Sequence, residues 1–445
     1  MPAQDERRNV KTAAAIDQRR RQKQMFERQK QTRSDRVKLA RMLGQDAADA
    51  DEAAAPASPA TPHAAPTEPH AAHVAHPAPH VDGAGGDGAP PQRSPGDGAP
   101  RAGRRGGGRR GSVDLEEDVW SGQVMMPDWM VEVPDALQDK WLVSPRPQGK
   151  RCLVLASAGK TVARLRTGRL LHAFQSVLPN GGPGRGGGRT GGQDATVLDC
   201  IYVDELGCFF ICDVLCWKGH ALVDCAAEFR FFWLQQKWAE EGGLPSQHHL
   251  QQNPHPLHLL PWFCCDPAGL ESAYRSLAVP FTRDGLQFLH RDSHYEIGLT
   301  PLMLLWKDSA CSTYLCEVYK DLDPAIQVVC LQVAENGNLL THDEPQAVVA
   351  SAGTELAATF ARNKRGLALF KIAGISLSYP EETIGADEDV QGPPQVSVSN
   401  IEFFAPAAAN RADADSLSKA LFQQRLRVQP LSYEELQHNA ALKQT

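Results

Sequence analysis

Residues 197–214 read VLDCIYVDELGCFFICDV. Two runs rich in Val, Ile, Leu, Phe, Tyr and Cys, Val197–Val203 and Cys208–Val214, flank Asp204-Glu205-Leu206-Gly207. Turn residues between two such runs read as an antiparallel hairpin. Runs of the same kind at Arg151–Leu155, Glu228–Trp233 and Leu286–His290 predict further strands. The expected fold class is therefore α+β, built on mostly antiparallel sheets with few helices. Cys208, Cys212 and Cys216 are four apart and share one sheet face at period two. They read as small buried hydrophobes, because the chain has no C-x-x-C spacing. No metal and no cofactor is expected.

Working outward, residues 119–310 are long enough for one large domain with its own core. Residues 311–445 form a C-terminal extension of unassigned role. Within it Tyr314–Val318, Ile326–Val333 and Leu367–Leu377 read as strands. Asp415-Ser416 opens a short amphipathic helix carrying Leu417, Leu421, Phe422 and Leu426, and Ser432-Tyr433-Glu434-Glu435 is a capping-box signature for another. Residues 44–118 collapse to Ala, Pro, Gly, Asp and His, a composition that cannot form a core. A tether of that length has a root-mean-square reach of about 40–50 Å. Its histidines, His63, His70, His73, His76 and His80, are irregularly spaced and Pro-separated, which is compositional bias rather than a metal site. Arg101, Arg104, Arg105, Arg109 and Arg110 among glycines form an RGG-type tract, and 181–192 is a glycine-rich surface loop.

The chain is acidic overall, with a formal net charge of −7, yet residues 1–43 hold thirteen Lys/Arg against five Asp/Glu. Such an end is built to meet something acidic. From Asp17 to Leu43 there is no Gly or Pro, and good helix formers dominate. Apolar residues there are too few and scattered for a stripe, so the helix is expected not to pack on its own domain but to order on a partner.

Three groups of basic residues in this segment resemble an importin-β-binding helix: Arg19-Arg20-Arg21, Glu27-Arg28-Gln29-Lys30, and Arg33-Ser34-Asp35-Arg36-Val37 with Ala40-Arg41-Met42-Leu43. The resemblance implies that Arg19, Arg20, Arg21, Arg28, Lys30, Arg33, Arg36 and Arg41 meet the acidic groove of that carrier. A second series runs through Met126-Pro127-Asp128-Trp129-Met130-Val131-Glu132-Val133-Pro134, Gly149-Lys150-Arg151, Leu198-Asp199-Cys200-Ile201-Tyr202 and Cys212-Asp213-Val214-Leu215-Cys216-Trp217-Lys218-Gly219-His220. It continues through Glu228–Trp233, His294-Tyr295 and Thr300-Pro301-Leu302. In that order the motifs resemble the snurportin family, of the plant and algal type. Membership implies an adaptor that binds the trimethylguanosine cap of spliceosomal U snRNAs. It also implies import of U snRNPs with importin-β, return through an exportin, and shuttling between nucleus and cytoplasm.

The later motifs, Leu198-Asp199, Phe210–Leu215, Asp284-Gly285-Leu286-Gln287-Phe288 and Leu304-Leu305-Trp306-Lys307, are also similar to GTP-dependent mRNA capping enzymes and ligases. That likeness implies a nucleotidyltransferase-like (mRNA guanylyltransferase-like) cap-binding domain. The chemistry of those enzymes needs the Lys of a K-x-D-G motif, and no K-x-D-G exists in this chain. Binding without catalysis is therefore expected, so the chain is read as no enzyme.

By resemblance Trp306 is the residue that stacks on the methylated base, and Trp129 lies against the N2-methyl groups, with Met126 and Pro127 beside it. Lys150, Arg151 and Arg166 would meet the bridging phosphates. Five residues separate Thr300 from Trp306, one more than in the animal pattern. That insertion flips the Trp306 side chain to the other face of a regular strand unless a bulge absorbs it. Two competing readings remain: a catalytic RNA guanylyltransferase, and a general RNA-binding protein using the RGG-like tract. No apolar run of membrane-spanning length and no signal peptide occur, so no membrane partner and a reducing compartment are expected.

Overall fold

A computed structural model describes residues 12–31, 119–182, 194–240, 253–312, 326–360, 366–379, 393–408, 411 and 413–442. The linker with its histidines and RGG-type tract, most of the glycine-rich loop, the run 314–318, and Arg33, Arg36 and Arg41 lie outside the described residues.

The basic segment forms helix α1 (Ala13–Gln31), and an edge strand β1 (Met125–Trp129) follows the linker. A single turn α2 (Leu137–Lys140) leads into β2 (Trp141–Pro147), β3 (Lys150–Ser157), β4 (Lys160–Leu165) and β5 (Leu170–Phe174). The decisive stretch forms β6 (Thr196–Val203) and β7 (Cys208–Trp217), with β8 (His220–Ala221) after them. The connecting turn closes through Gly207, whose φ of +63° is a left-handed conformation that suits glycine. Helix α3 (Ala227–Glu240), β9 (Leu257–Leu259), β10 (Phe263–Cys264), α4 (Pro267–Glu271), β11 (Arg283–His290) and β12 (Gly298–Trp306) complete the first unit.

The strand expected at Glu228–Trp233 is helical, inside α3. Its aromatics pointed to a strand, but the buried positions Ala227, Arg230, Phe231 and Leu234 follow a helical period, and Phe229 and Phe232 face outward. From this helix Arg230 reaches Asp213 on β7 with two hydrogen bonds of 2.9 and 2.7 Å.

Two sheets pack face to face. One has the order β5-β4-β3-β6-β7-β8, with β9 pairing parallel to β7; the other has the order β1-β12-β11-β2-β10. Leu153, Leu155, Val197 and Leu215 of the first sheet meet Met125, Leu142, Leu289 and Met303 of the second in one buried cluster. A separate cluster, Ile201, Val203, Cys208, Phe210 and Cys212 with Leu260 and Phe281, fills the other end of the same face. The outer face of the first sheet buries Val154, Leu198, Cys200 and Phe209 under Leu234 of α3.

The C-terminal extension adds a third sheet from β13 (Gln327–Val333), β14 (Asn338–Leu340), β15 (Val348–Ser351), β16 (Leu367–Ile372) and β19 (Glu402–Pro406). A ribbon of β17 (Gly374–Ser378) and β18 (Gln395–Ser399) and the helix α5 (Gly353–Phe360) accompany it. The run expected as one strand at Leu367–Leu377 is thus broken in two at Ala373. Two helices close the chain, α6 (Leu417–Val428) and α7 (Tyr433–Ala441). Ser416 caps α6, and α7 carries the full capping box, Ser432 accepting from the Glu435 N–H while the Glu435 carboxylate accepts from the Ser432 N–H.

Helix α1 does not stand apart. It packs against β12 and β17, with Asp17, Gln18 and Gln29 buried. Gln18 donates to the Glu132 carbonyl, Gln22 donates to the Pro301 carbonyl, and Arg21 pairs with Asp128 on β1. The expectation of an unpacked helix failed because it counted apolar positions, whereas polar side chains dock this helix.

Candidate functional site

The five-stranded sheet positions both tryptophans. β1 lies parallel to β12, and its register jumps between Pro127, opposite Thr300, and Asp128, opposite Leu304. The bulge therefore sits on β12 at residues 301–303, where an inserted residue would have to be absorbed. Beyond it Trp306 shares a face with Leu304 and is fully buried, together with Leu286, Phe288 and Trp141, beneath Leu431, Tyr433 and Leu436. Its indole N–H donates to the Leu431 carbonyl at 2.9 Å, and its ring meets Tyr274 edge-on at 5.8 Å. The C-terminal extension thus occupies the ground above the expected stacking residue. Nothing in 119–310 alone pointed to that cover.

Trp129 is half-buried at the end of β1. Phe422 of α6 leans on its ring at 5.0 Å, and the ammonium groups of Lys307 and Lys419 lie 5.5 and 5.9 Å from the ring centre. The Trp129 backbone N–H donates to the Ser418 hydroxyl, which donates in turn to Asp128. Met126 is half-buried against the inter-sheet cluster, and Pro127 is buried on the edge strand β1, just before the register jump.

The three expected phosphate contacts are not together. Lys150 is exposed and pairs with Asp204 at 2.6 Å beside the 204–207 hairpin. Arg166 pairs with Asp413 at 3.2 Å. Arg151 alone points inward between the sheets, 8% exposed, and forms a bidentate pair with Asp199, both bonds 2.6 Å. Tyr295 donates to the same carboxylate at 2.6 Å. Burial works against the Arg151 charge, and Asp199 more than offsets it, so the guanidinium stays protonated.

Residues that the sequence reading missed adjoin this pair. Arg146 lies 3.6 Å from Asp284, and Lys307 donates to Asp284 at 2.5 Å. Burial, set against the pull of Asp284, lowers the Lys307 ammonium to about 8. Gly285, with φ +101°, lets β11 approach closely, since a Cβ there would stand 2.5 Å from the Trp306 carbonyl oxygen. The signal was present in the alternation: Ser144 and Arg146 follow Leu142 on the inward face of β2, and Gln287 faces inward two residues before Leu289. Polar residues at inward strand positions mark a site, but only once the pairing of Gln287 with Ser144 is known.

Aromatic face, flanking cations and an inward run of Lys307, Arg146 and Arg151 make a site suited to a flat base and negatively charged groups behind it. All described cysteines are free thiols, and no group of His, Cys, Asp and Glu among the described residues could hold a metal ion. No described helix is long and apolar enough to cross a membrane.

Residues 123–308 match the family model described as Snurportin1, m3G cap-binding domain. Solved structures similar to the chain include the ligase domain of LigD from M. tuberculosis, at 13% identity, 64% of this chain and 95% of that one, TM-score 0.28. The ATP-dependent DNA ligase of bacteriophage T7 in complex with ATP is similar at 9% identity, 65% and 100% coverage, TM-score 0.29. Chlorella virus DNA ligase-adenylate is similar at 10% identity, 56% and 94% coverage, TM-score 0.26.

Proposed function

We propose, from the premise that residues 123–308 form a domain of the snurportin m3G-cap-binding family, that this chain binds the trimethylguanosine cap of U snRNAs without catalysis and carries U snRNPs into the nucleus with importin-β. The family match over 123–308 carries this reading. The half-buried Trp129 supports it as the aromatic face, since stacking contributes about 1–3 kcal/mol per base. In this reading Lys307, 5.5 Å from the Trp129 ring centre, and Arg151, buried between the sheets, serve as cationic partners of the bridging phosphates. Trp306, buried beneath α7, backs the site from within the core. Arg19, Arg20, Arg21, Arg28 and Lys30 then serve the carrier once α1 leaves the domain, and an exportin returns the adaptor, which shuttles between nucleus and cytoplasm.

The test is a fluorescence titration of the full chain with trimethylguanosine and 7-methylguanosine cap dinucleotides. Two buried methyl groups discriminate by roughly tenfold or more. Preference of that size for the trimethylated cap, lost in Trp129→Ala, supports the adaptor. Equal or absent binding, or covalent labelling by radioactive GTP, overturns it.

A further inference from the structure

Trp129 is held by groups that the matched domain does not supply. β1 is an edge strand, and the Met130 N–H donates to the Leu305 carbonyl on β12, so the Trp129 N–H one residue earlier points away from the sheet. It meets the Ser418 hydroxyl at 3.1 Å. Ser418 stands in the first turn of α6, which Ser416 caps and where the Leu417 N–H donates to Asp343 at 2.8 Å.

A hydroxyl has one proton and two lone pairs. The Ser418 proton goes to Asp128, so in the 2.9 Å contact between Ser416 and Ser418 the donor is Ser416. With the Trp129 N–H on its remaining lone pair, the Ser418 hydroxyl is fully committed and fixed in direction. Asp128 is buried beside it and receives Arg21 of α1 on its other oxygen. A continuous line, Arg21–Asp128–Ser418–Trp129, thus joins the start of the chain to its end through one buried carboxylate.

The run 128–132 is gripped from both sides. Towards α1, Thr12 donates to the Glu132 carboxylate at 2.9 Å and Gln18 donates to the Glu132 carbonyl at 3.2 Å. Towards α6, Arg425 donates to the Val131 carbonyl at 2.6 Å. All of these partners lie outside residues 123–308. Covering an edge strand accounts for Ser418 by itself. It does not account for two elements from opposite ends of the chain closing on the one short run that carries Trp129. A binding face must be held in one orientation, because a loosely held ring loses affinity to its own ordering.

We propose that Ser418 and Arg21 are positioning residues for Trp129, acting through Asp128, so that docking of α1 and occupation of the Trp129 ring reinforce each other. The nature of the occupant rests on the cap-binding reading above; the grip on 128–132 does not. Linkage makes the coupling reciprocal: whatever factor α1 adds to affinity at Trp129, a ligand there adds to the docking of α1. The C-terminal extension thereby acquires a role in the site, and a partner that draws α1 away weakens the hold on whatever lies against the ring.

The test uses the full chain as wild type, Arg21→Gln and Ser418→Ala, with trimethylguanosine and 7-methylguanosine cap dinucleotides as probes. Without ligand, the Trp129 backbone N–H should exchange at least about fivefold faster in Arg21→Gln, the low end of coupling between two sites, although Asp128 and Ser418 stand between the two residues. With ligand, both variants should bind the trimethylated dinucleotide at least about fivefold more weakly. They should also lose part of its preference over the 7-methyl form, which a contact that only stabilises the fold would leave unchanged. In wild type the trimethylated dinucleotide should slow amide exchange over 13–31 by the same factor, and in Ser418→Ala it should not. Arg21→Gln decides alone if Ser418→Ala does not fold. Unchanged Trp129 exchange in Arg21→Gln overturns the positioning role, whatever the cap does, and so do affinities within about twofold of wild type in both variants. A wild type that binds neither dinucleotide removes the cap reading, and the Trp129 exchange then decides the positioning role by itself.

Discussion

Helix α1 and the pair α6–α7 come from opposite ends of the chain, yet both lie against the five-stranded sheet, and they are held in opposite ways. α1 is held by charge. Arg21 stands among Asp17, Asp128 and Asp343, which together keep it charged against the cost of burial. Arg19 pairs with Asp135 at 2.7 Å, Arg28 pairs with Glu344 at 3.4 Å, and Tyr379 donates to Asp17 at 2.8 Å. The C-terminal pair is held by apolar contact: Phe422 on Trp129, Tyr433 stacked on Tyr274 at 4.0 Å, and Leu436 and Ala440 fully buried over Trp306. Ion pairs near water are exchangeable for other ion pairs and weaken with salt, whereas a buried apolar interface has no substitute in solvent. The exposed pairs Arg19–Asp135 and Arg28–Glu344 follow the first rule, the buried Arg21 pairs hold more firmly, and α6–α7 follows the second as part of the core.

The largest way to break this comparison is Trp306→Ala. Truncating a buried Trp costs about 3–5 kcal/mol, so urea unfolding should shift by that amount; a loss below about 1 kcal/mol would mean that α7 does not belong to the core. Asp128→Asn should act on the other side. It removes the carboxylate shared by Arg21 and Ser418, and amide exchange over 13–31 should speed up by the equivalent of about 1–3 kcal/mol while 433–441 keeps its protection. Equal loosening of both helices would abolish the distinction.

His290 sharpens the comparison through pH. It lies under Phe26 of α1 at 4.8 Å and beside Trp141 at 5.2 Å, and burial lowers its imidazole to about 4 against the small opposing pull of Asp292. The unfolded imidazole titrates near 6.5, so between about 6.5 and 4 the unfolded chain binds a proton that the folded chain does not. Stability therefore falls as pH drops through that window, by at most about 1.4 kcal/mol per pH unit from this group, and His290→Gln should flatten the slope. In a variant truncated to begin at residue 119, which lacks α1, the His290 resonance should titrate closer to 6.5; an unmoved value would mean that the helix does not cover the ring. The smallest effect is that of salt. Raising it from about 0.15 to 1 M should weaken α1 docking by up to about 1 kcal/mol and leave α6–α7 unchanged, again read by amide exchange.

Where structure is local, the sequence was legible. The 204–207 hairpin, the Ser416 cap and the capping box at Ser432 each depend on residues a few positions apart. The α+β class and the antiparallel sheets followed from the hairpin and its companion runs. Period misled at α3, where aromatic content hid a helical spacing. Trp306 was read as a stacking face because the residues that bury it come from the end of the chain, 125 positions from its Leu431 partner. Arg146 and Gln287 needed the β2–β11 register before their inward placement meant anything. Docking of α1 was hidden most deeply, because most of its contacts are polar and their partners, Asp128, Pro301, Glu344 and Tyr379 among them, are scattered along the chain.

One of those contacts sets a clock. Tyr379, which donates to Asp17, is 362 residues further along the chain, and synthesis at about 5–20 residues per second separates the two by roughly 20–70 seconds. Throughout that interval the basic helix has emerged from the ribosome while its last docking partner does not yet exist. A nascent chain is therefore expected to offer α1 to an acidic binding protein more readily than the finished molecule does. Ribosome-bound chains stalled before and after residue 379 should differ in how well they retain such a protein, and equal retention would mean that the Tyr379 contact contributes nothing to holding the helix.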